Sequence, residues 1–155
     1  MKSGHQWIAE YSESHRNPTN KLIHWVCVPV IVWTVIALLW SIPVPEFMQM
    51  NPWLNWASLF MLLAMFFYFT FGFKIFFAML LMAVGMLWFT AWLSQATTIP
   101  VWQIAVVAFI IAWVGQFIGH HIEGKKPSFM KDVQFLLVGP AWEINYLFRK
   151  IGFIK

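Results

Sequence analysis

Four of the five histidines stand at the two ends of the chain's apolar region. His15 and His24 lie just before and just inside the first apolar run, and His120 and His121 lie where the last one stops. Tyr11 and His15 are spaced i, i+4, as are Asn20 and His24, and Gln116 and His120; His120 and Glu123 are spaced i, i+3. On a helix each of these pairs shares a face. Neutral imidazole is the commonest metal ligand, and histidine one turn from another polar group is a frequent metal-site arrangement. A single histidine is more often a structural hydrogen-bonding residue; four, together with Glu123, point to a metal centre. His24 is the sharpest case, because an ionisable group about one turn inside an apolar span is costly. Cys27, the only cysteine, lies inside that span, so the donor set is nitrogen and oxygen. Such a set suits Fe, Zn, Mn or Cu, and histidines plus a carboxylate with open positions suit non-haem Fe(II) and O2. Zinc hydrolysis stays open as chemistry. Haem fits less well, since axial histidine pairs in bundles lie deeper, on facing spans. His5 reads as a solvated terminal residue.

The elements that must bring these residues together follow from the apolar runs. Leu22–Trp40, Trp53–Phe71, Ile75–Leu93 and Val101–Gly119 are 19 residues each. About 20 residues cross a hydrocarbon core of about 30 Å. Helices satisfy their own backbone in lipid, so each run is expected to be a helix. The chain is 61% hydrophobic and only 10% charged, with 16 Phe and 11 Trp. A soluble domain carries about 25% charged residues, and this composition in water would expose large apolar patches. The expectation is an all-α integral membrane protein with four transmembrane helices, both termini cytoplasmic, and short interfacial helices at each end. Residues 1–155 form a single membrane domain, with no internal repeat. The first seventeen residues are too polar for a signal peptide.

Charge sets the orientation. Lys2, Arg16 and Lys21 precede the first run, Lys74 sits between the second and third, and Lys125, Lys126, Lys131, Arg149, Lys150 and Lys155 follow the fourth. The segments 41–52 and 94–100 hold no Lys or Arg. All ten basic residues thus share one face of a four-span chain, which is the cytoplasmic face by the positive-inside rule. The histidines fall on that face too. No basic cluster or motif of a nucleic-acid binder is present, so nucleic acid is not an expected partner.

Around the spans, Asn17-Pro18 should end one short helix and start the next, with Pro18 near the first position. A bend there would turn His15 back toward His24. Beyond the fourth run, Pro127-Ser128 should open a helix capped by Ser128, with Phe129, Val133, Leu136 and Leu137 on one face. Gly139-Pro140 should break it, and a second short helix should cover Ala141–Lys150. Segment 128–150 is mixed enough to lie at the interface and roof the bundle. Ala105, Ala108, Ala112, Gly115 and Gly119 make a small-residue stripe, which lets helix backbones approach closely in lipid. Glu143 reads as a partner for the C-terminal basic residues or as a support for the site. Lys74 reads as a snorkelling charge, the methionines between Met61 and Met86 as packing surface, and the tryptophans near span ends as interfacial belts.

The series Tyr11-x3-His15-x4-Asn20-x3-His24, then Gln116-Phe117-Ile118-Gly119-His120-x2-Glu123-Gly124-x2-Pro127, then Gly139-Pro140 resembles the membrane 2-hydroxy fatty acid dioxygenase family, typified by the fungal enzyme of the endoplasmic reticulum. The resemblance covers about residues 5–150. It implies an Fe(2+)-dependent enzyme of fatty acid α-oxidation that cleaves C1–C2 of a 2-hydroxy fatty acid with O2 and shortens the chain by one carbon. It implies His15, His24 and His120 as iron ligands, with His121 adjacent but turned about 100° from His120 on a helix. Tyr11, Asn20, Gln116 and Glu123 become supporting groups or substrate contacts.

A 2-hydroxy acid can chelate Fe(II) through carboxylate and hydroxyl, with the acyl tail between the spans. Lys125, Lys126 or Arg16 could attract the carboxylate at the interface, and no organic cofactor is required. The expected partners are the 2-hydroxy fatty acid, O2 and membrane lipid, with a homo-oligomer left open. The expected location is a bacterial inner membrane, or the endoplasmic reticulum in a eukaryote, with the site on the cytoplasmic side. Two other classes compete: a non-catalytic lipid-binding or small transport protein, and a zinc-dependent lipid hydrolase.

Overall fold

Asn17-Pro18 opens the central helix as its chemistry dictates. The Asn17 side chain accepts from the backbone N–H of Thr19 at 2.9 Å and of Asn20 at 3.4 Å, and Pro18 takes the first position, where its missing N–H costs nothing. The computed structural model describes residues 2–124, 133 and 135–154. Its helices are α1 (Gly4–Ser12), α2 (Pro18–Trp40), α3 (Trp56–Phe69), α4 (Phe73–Ala96), α5 (Val101–Ile122) and α6 (Val138–Lys150). A 3-10 turn, Glu46–Met48, lies between α2 and α3, and no strand occurs among the described residues.

Three helices, α2, α4 and α5, are long and apolar enough to cross a membrane. The helix in the second expected run, Trp53–Phe71, is shorter than its apolar stretch. Asn55 and Ser58 form a reciprocal capping box that starts α3 at Trp56, and Thr70 ends it before Gly72, whose φ of 92° only glycine adopts freely. Its 14 residues reach about 21 Å at 1.5 Å per residue. The outward faces are apolar: Leu62, Phe66 and Phe69 on α3, Phe73, Phe77, Leu81 and Trp88 on α4, and Val107, Ile111, Val114 and Ile118 on α5 are exposed. Polar side chains such as Asn20, Thr34 and Thr90 are fully buried. Such an inverted surface suits lipid.

The small-residue stripe packs α5 against α2. Ala105 and Ala112 are buried. A Cβ on Gly115 would sit 2.6 Å from Cys27 Sγ, and one on Gly119 would collide with Asn20 Oδ1 and reach 3.3 Å from His24 Cε1. Glycine is therefore what lets α5 approach the α2 turn that carries His24.

Helix α6 differs from expectation at its start. Gly139-Pro140 does not break the helix before Ala141; it lies within the first turn of Val138–Lys150. Proline is tolerated there because the first turn's N–H groups have no helical partner. Gly139 meets Val28 of α2, where a Cβ would stand 2.9 Å from Cγ1. Val138, Ala141, Trp142, Glu143 and Asn145 are buried, so α6 is docked into the bundle rather than lying loosely upon it. The helix expected to open at Ser128 falls outside the described residues. The end of the bundle formed by α1 and α6 also gathers basic groups. Lys21 Nζ stands 5.9 Å from the Tyr146 ring, and Lys74 Nζ donates to Phe153 O at 2.5 Å.

Candidate metal centre

His15, His24 and His120 come together at the α1–α2–α5 junction, all three buried, with one nitrogen from each within 4.8 Å of the others. Their ring centroids are 4.4 Å (His15–His24), 5.1 Å (His24–His120) and 5.6 Å (His15–His120) apart. Two of the rings are oriented by the backbone. His15 Nδ1 lies 2.7 Å from Tyr11 O, and His24 Nδ1 lies 3.0 Å from Asn20 O. A carbonyl can only accept, so Nδ1 carries the proton in both and Nε2 presents the lone pair. That is the tautomer a metal-binding histidine needs, fixed by an outer partner. Nitrogens around one ion with bonds of about 2.1 Å stand roughly 3–3.5 Å apart, so closing the widest pair takes roughly 1 Å of ring movement. The donor set and tautomers fit a divalent metal.

The polar neighbours have distinct jobs. Glu123 does not join the triad; its carboxylate accepts from the backbone N–H of Arg16 (2.8 Å) and Asn17 (2.9 Å) and from Asn20 Nδ2 (2.8 Å). It ties the end of α5 to the bend between His15 and α2. Burial pushes the Glu123 carboxyl up, but the donors from Asn20, Arg16 and Asn17, with the influence of His15, outweigh this and hold it below the usual range. Asn20 is fully buried; its side chain holds Glu123 and its carbonyl orients His24. Tyr11 stacks on His15, centroids 4.0 Å apart and planes 9° from parallel. Gln116, one turn before His120, is buried with Oε1 unpartnered among the described residues. It borders a cavity of about 30 Å³ with Tyr11, Val28, Ile31, Trp113, Phe135 and Leu136.

The sequence matches a known family over nearly its whole length. The family model for the Mpo1-like group, described as 2-hydroxy-palmitic acid dioxygenase Mpo1-like, covers residues 1–151. The chain belongs to the Mpo1-like family. No curated protein and no solved structure matches it. That membership implies an activity of the 2-hydroxy fatty acid dioxygenase type.

Within this Mpo1-like chain, the fourth expected ligand stays outside. His121 is exposed, rotated off the face that carries His120, so three histidines and not four converge. His5 is exposed as well. Sequence reasoning missed Trp142. Its Nε1 donates to Ser12 Oγ at 2.8 Å, and its ring lies 5.3 Å from Tyr11 and 5.6 Å from His15. The signal available was its place beside Glu143 in the Gly139-Pro140 segment, but nothing local says which way it faces.

Proposed function

We propose that the chain is an Fe(II)-dependent dioxygenase of 2-hydroxy fatty acids, carried by four membrane passes with both termini and the site on the cytoplasmic side. The observation that carries this reading is the buried triad His15–His24–His120, two of its rings tied through Nδ1 to backbone carbonyls so that Nε2 keeps the lone pair. The chemistry supplied by Fe(II) bound there is the activation of O2. The balance needs no outside reductant: RCH(OH)COOH + O2 gives RCOOH + CO2 + H2O. The C1–C2 bond breaks, the substrate loses four electrons and O2 takes up four.

The chain's own residues orient and enclose. Glu123 and Asn20 lock the His15–His24 bend to α5. Tyr11 stacks on His15, and the Trp142 ring lies 5.6 Å from it. Gln116 Oε1, buried and without a partner among the described residues, would accept a hydrogen bond from the substrate's 2-hydroxyl. The cavity beside it has room for one or two waters, which suits the reacting end of the substrate, while the acyl chain extends among the apolar helices. The charge pattern and the basic end of the bundle support a cytoplasmic site.

The test is metal analysis of the purified protein together with O2 uptake on 2-hydroxypalmitate. Stoichiometric iron and one O2 per CO2 are expected, and His24→Ala should lose both metal and uptake. Zinc without O2 uptake would favour hydrolysis, and metal-free protein with full activity would remove the triad from the chemistry.

A further inference from the structure

The last turn of α6 carries charge and apolar surface that the fold itself does not use. Gly152, at a φ of 74°, ends the helix, and the N–H groups of Ile151, Gly152 and Phe153 return to the carbonyls of Leu147, Arg149 and Phe148. Lys74, in the first turn of α4, donates to Phe153 O at 2.5 Å and stands 4.3 Å from the Phe153 ring. The turn is thereby pinned to the start of a helix long and apolar enough to cross a membrane. Ile151 and Phe153 are nonetheless 65% and 51% exposed, and Phe73, beside Lys74, is 68% exposed. Arg149 and Lys150 are exposed too, and make no ion pair among the described residues. No acidic residue follows Glu143 in the sequence, and none lies between Glu46 and Glu123. The carbonyls that end α6 are already bonded to the backbone, so the two cations are left for a partner outside the chain.

We propose that this turn docks on an anionic phospholipid surface, with Ile151, Phe153 and Phe73 in the headgroup–acyl boundary and Arg149 and Lys150 against the lipid phosphates. Cations set beside outward apolar side chains are what a segment lying in that boundary needs. Each such cation strengthens attachment to an anionic leaflet roughly fivefold. A second copy of a chain whose net charge is +4 does not supply the anions. Docking would hold α6 at the membrane surface, and with it α1, which Trp142 grips through Ser12. That the leaflet is the cytoplasmic one rests on the topology proposed above; the surface itself rests on neither the metal nor the substrate.

The test is amide hydrogen exchange of the full chain in phosphatidylcholine nanodiscs with and without phosphatidylglycerol, read at residues 151–154. Exchange there should be slower with phosphatidylglycerol, by roughly an order of magnitude for two cations. High salt should remove the gain, and so should the double variant Arg149→Gln/Lys150→Gln. Ile151→Ser/Phe153→Ser should lose protection in both lipids, while the α2 amides stay unchanged throughout. The salt arm uses the wild-type chain, so it decides the matter even where a variant does not fold. Exchange that is the same in both lipids, or a phosphatidylglycerol effect that persists in Arg149→Gln/Lys150→Gln, would overturn the surface. Protection found only in discs that hold two copies would assign the face to a second chain and overturn it equally. Neither lipid is a 2-hydroxy acid, so this outcome and O2 uptake on 2-hydroxypalmitate succeed or fail separately.

Discussion

Glu143 gives a prediction whose size can be worked from its surroundings. Its side chain is 7% exposed, on the α6 turn that follows Gly139, and Oε1 has no partner among the described residues. It shares the helix face of Gly139 and Tyr146, which meet Val28 and Trp25 of α2. Burial with little compensation pushes its carboxyl up from 4.5 to about 8. The folded state therefore holds this proton where the unfolded chain has released it. Stability from the neutral acid is fully present below about pH 4.5, falls as pH rises, and is gone above about pH 8. At about 1.4 kcal/mol per unit, the full difference is on the order of 5 kcal/mol, an upper bound that water penetration reduces. A chain of this length shifts by about 2–4 °C per kcal/mol, so the wild-type Tm should drop by several degrees or more between pH 5 and pH 9. Glu143→Gln is close in shape to the neutral acid and does not ionise. It should match the wild type at pH 5 and exceed it at pH 9. The assay is thermal unfolding in detergent across that range, read as the difference between the two proteins, so that groups common to both cancel. A difference that is flat in pH, or a variant that loses stability in parallel with the wild type, would refute the burial argument.

Gly119→Ala should cost about 1–3 kcal/mol by overpacking, because its Cβ meets Asn20 and His24. Since the same push displaces His24, bound metal should fall more than stability does, which metal analysis at matched folding would show. Glu123→Gln removes an acceptor from a carboxylate serving three donors. A lower Tm and a metal affinity reduced roughly 10–100-fold are expected, the usual effect of losing an outer partner of a ligand; unchanged affinity would mean the α5 clamp does not position the triad. Trp142→Phe keeps an aromatic ring, though a smaller one, and loses the hydrogen bond to Ser12. It should retain metal while loosening α1 from α6, visible as faster amide exchange in residues 4–12.

The site was more legible in sequence than the helix that completes it, and the reason is the range over which each is specified. The i, i+4 spacings marked local geometry: in the fold they become Nδ1–carbonyl bonds from His15 to Tyr11 and from His24 to Asn20, made within one turn of chain. The cap and proline at Asn17-Pro18 are likewise local, as is the small-residue stripe that gives α5 its close approach. Two of the three partners of Glu123 are backbone N–H groups about a hundred residues away, and no side-chain pattern announces them. Trp142 faces inward only because Gly139 lets α6 come within contact of Val28, a fact about two helices at once. The same division explains α3, whose apolar stretch suggested a full span while the Asn55–Ser58 box and Gly72 cut the helix to 14 residues. If α3 does lie in the bilayer, its shortness has a mechanical consequence. A helix of about 21 Å in a core of about 30 Å draws the membrane surface inward near its ends, by thinning or by snorkelling. The α3–α4 turn packs against Gly4 at the start of α1, so the inward pull falls beside the very helix that carries Tyr11 and the approach to His15. On the function proposed above, a short second pass would bring the head of a membrane-borne acid down to the level of the histidines.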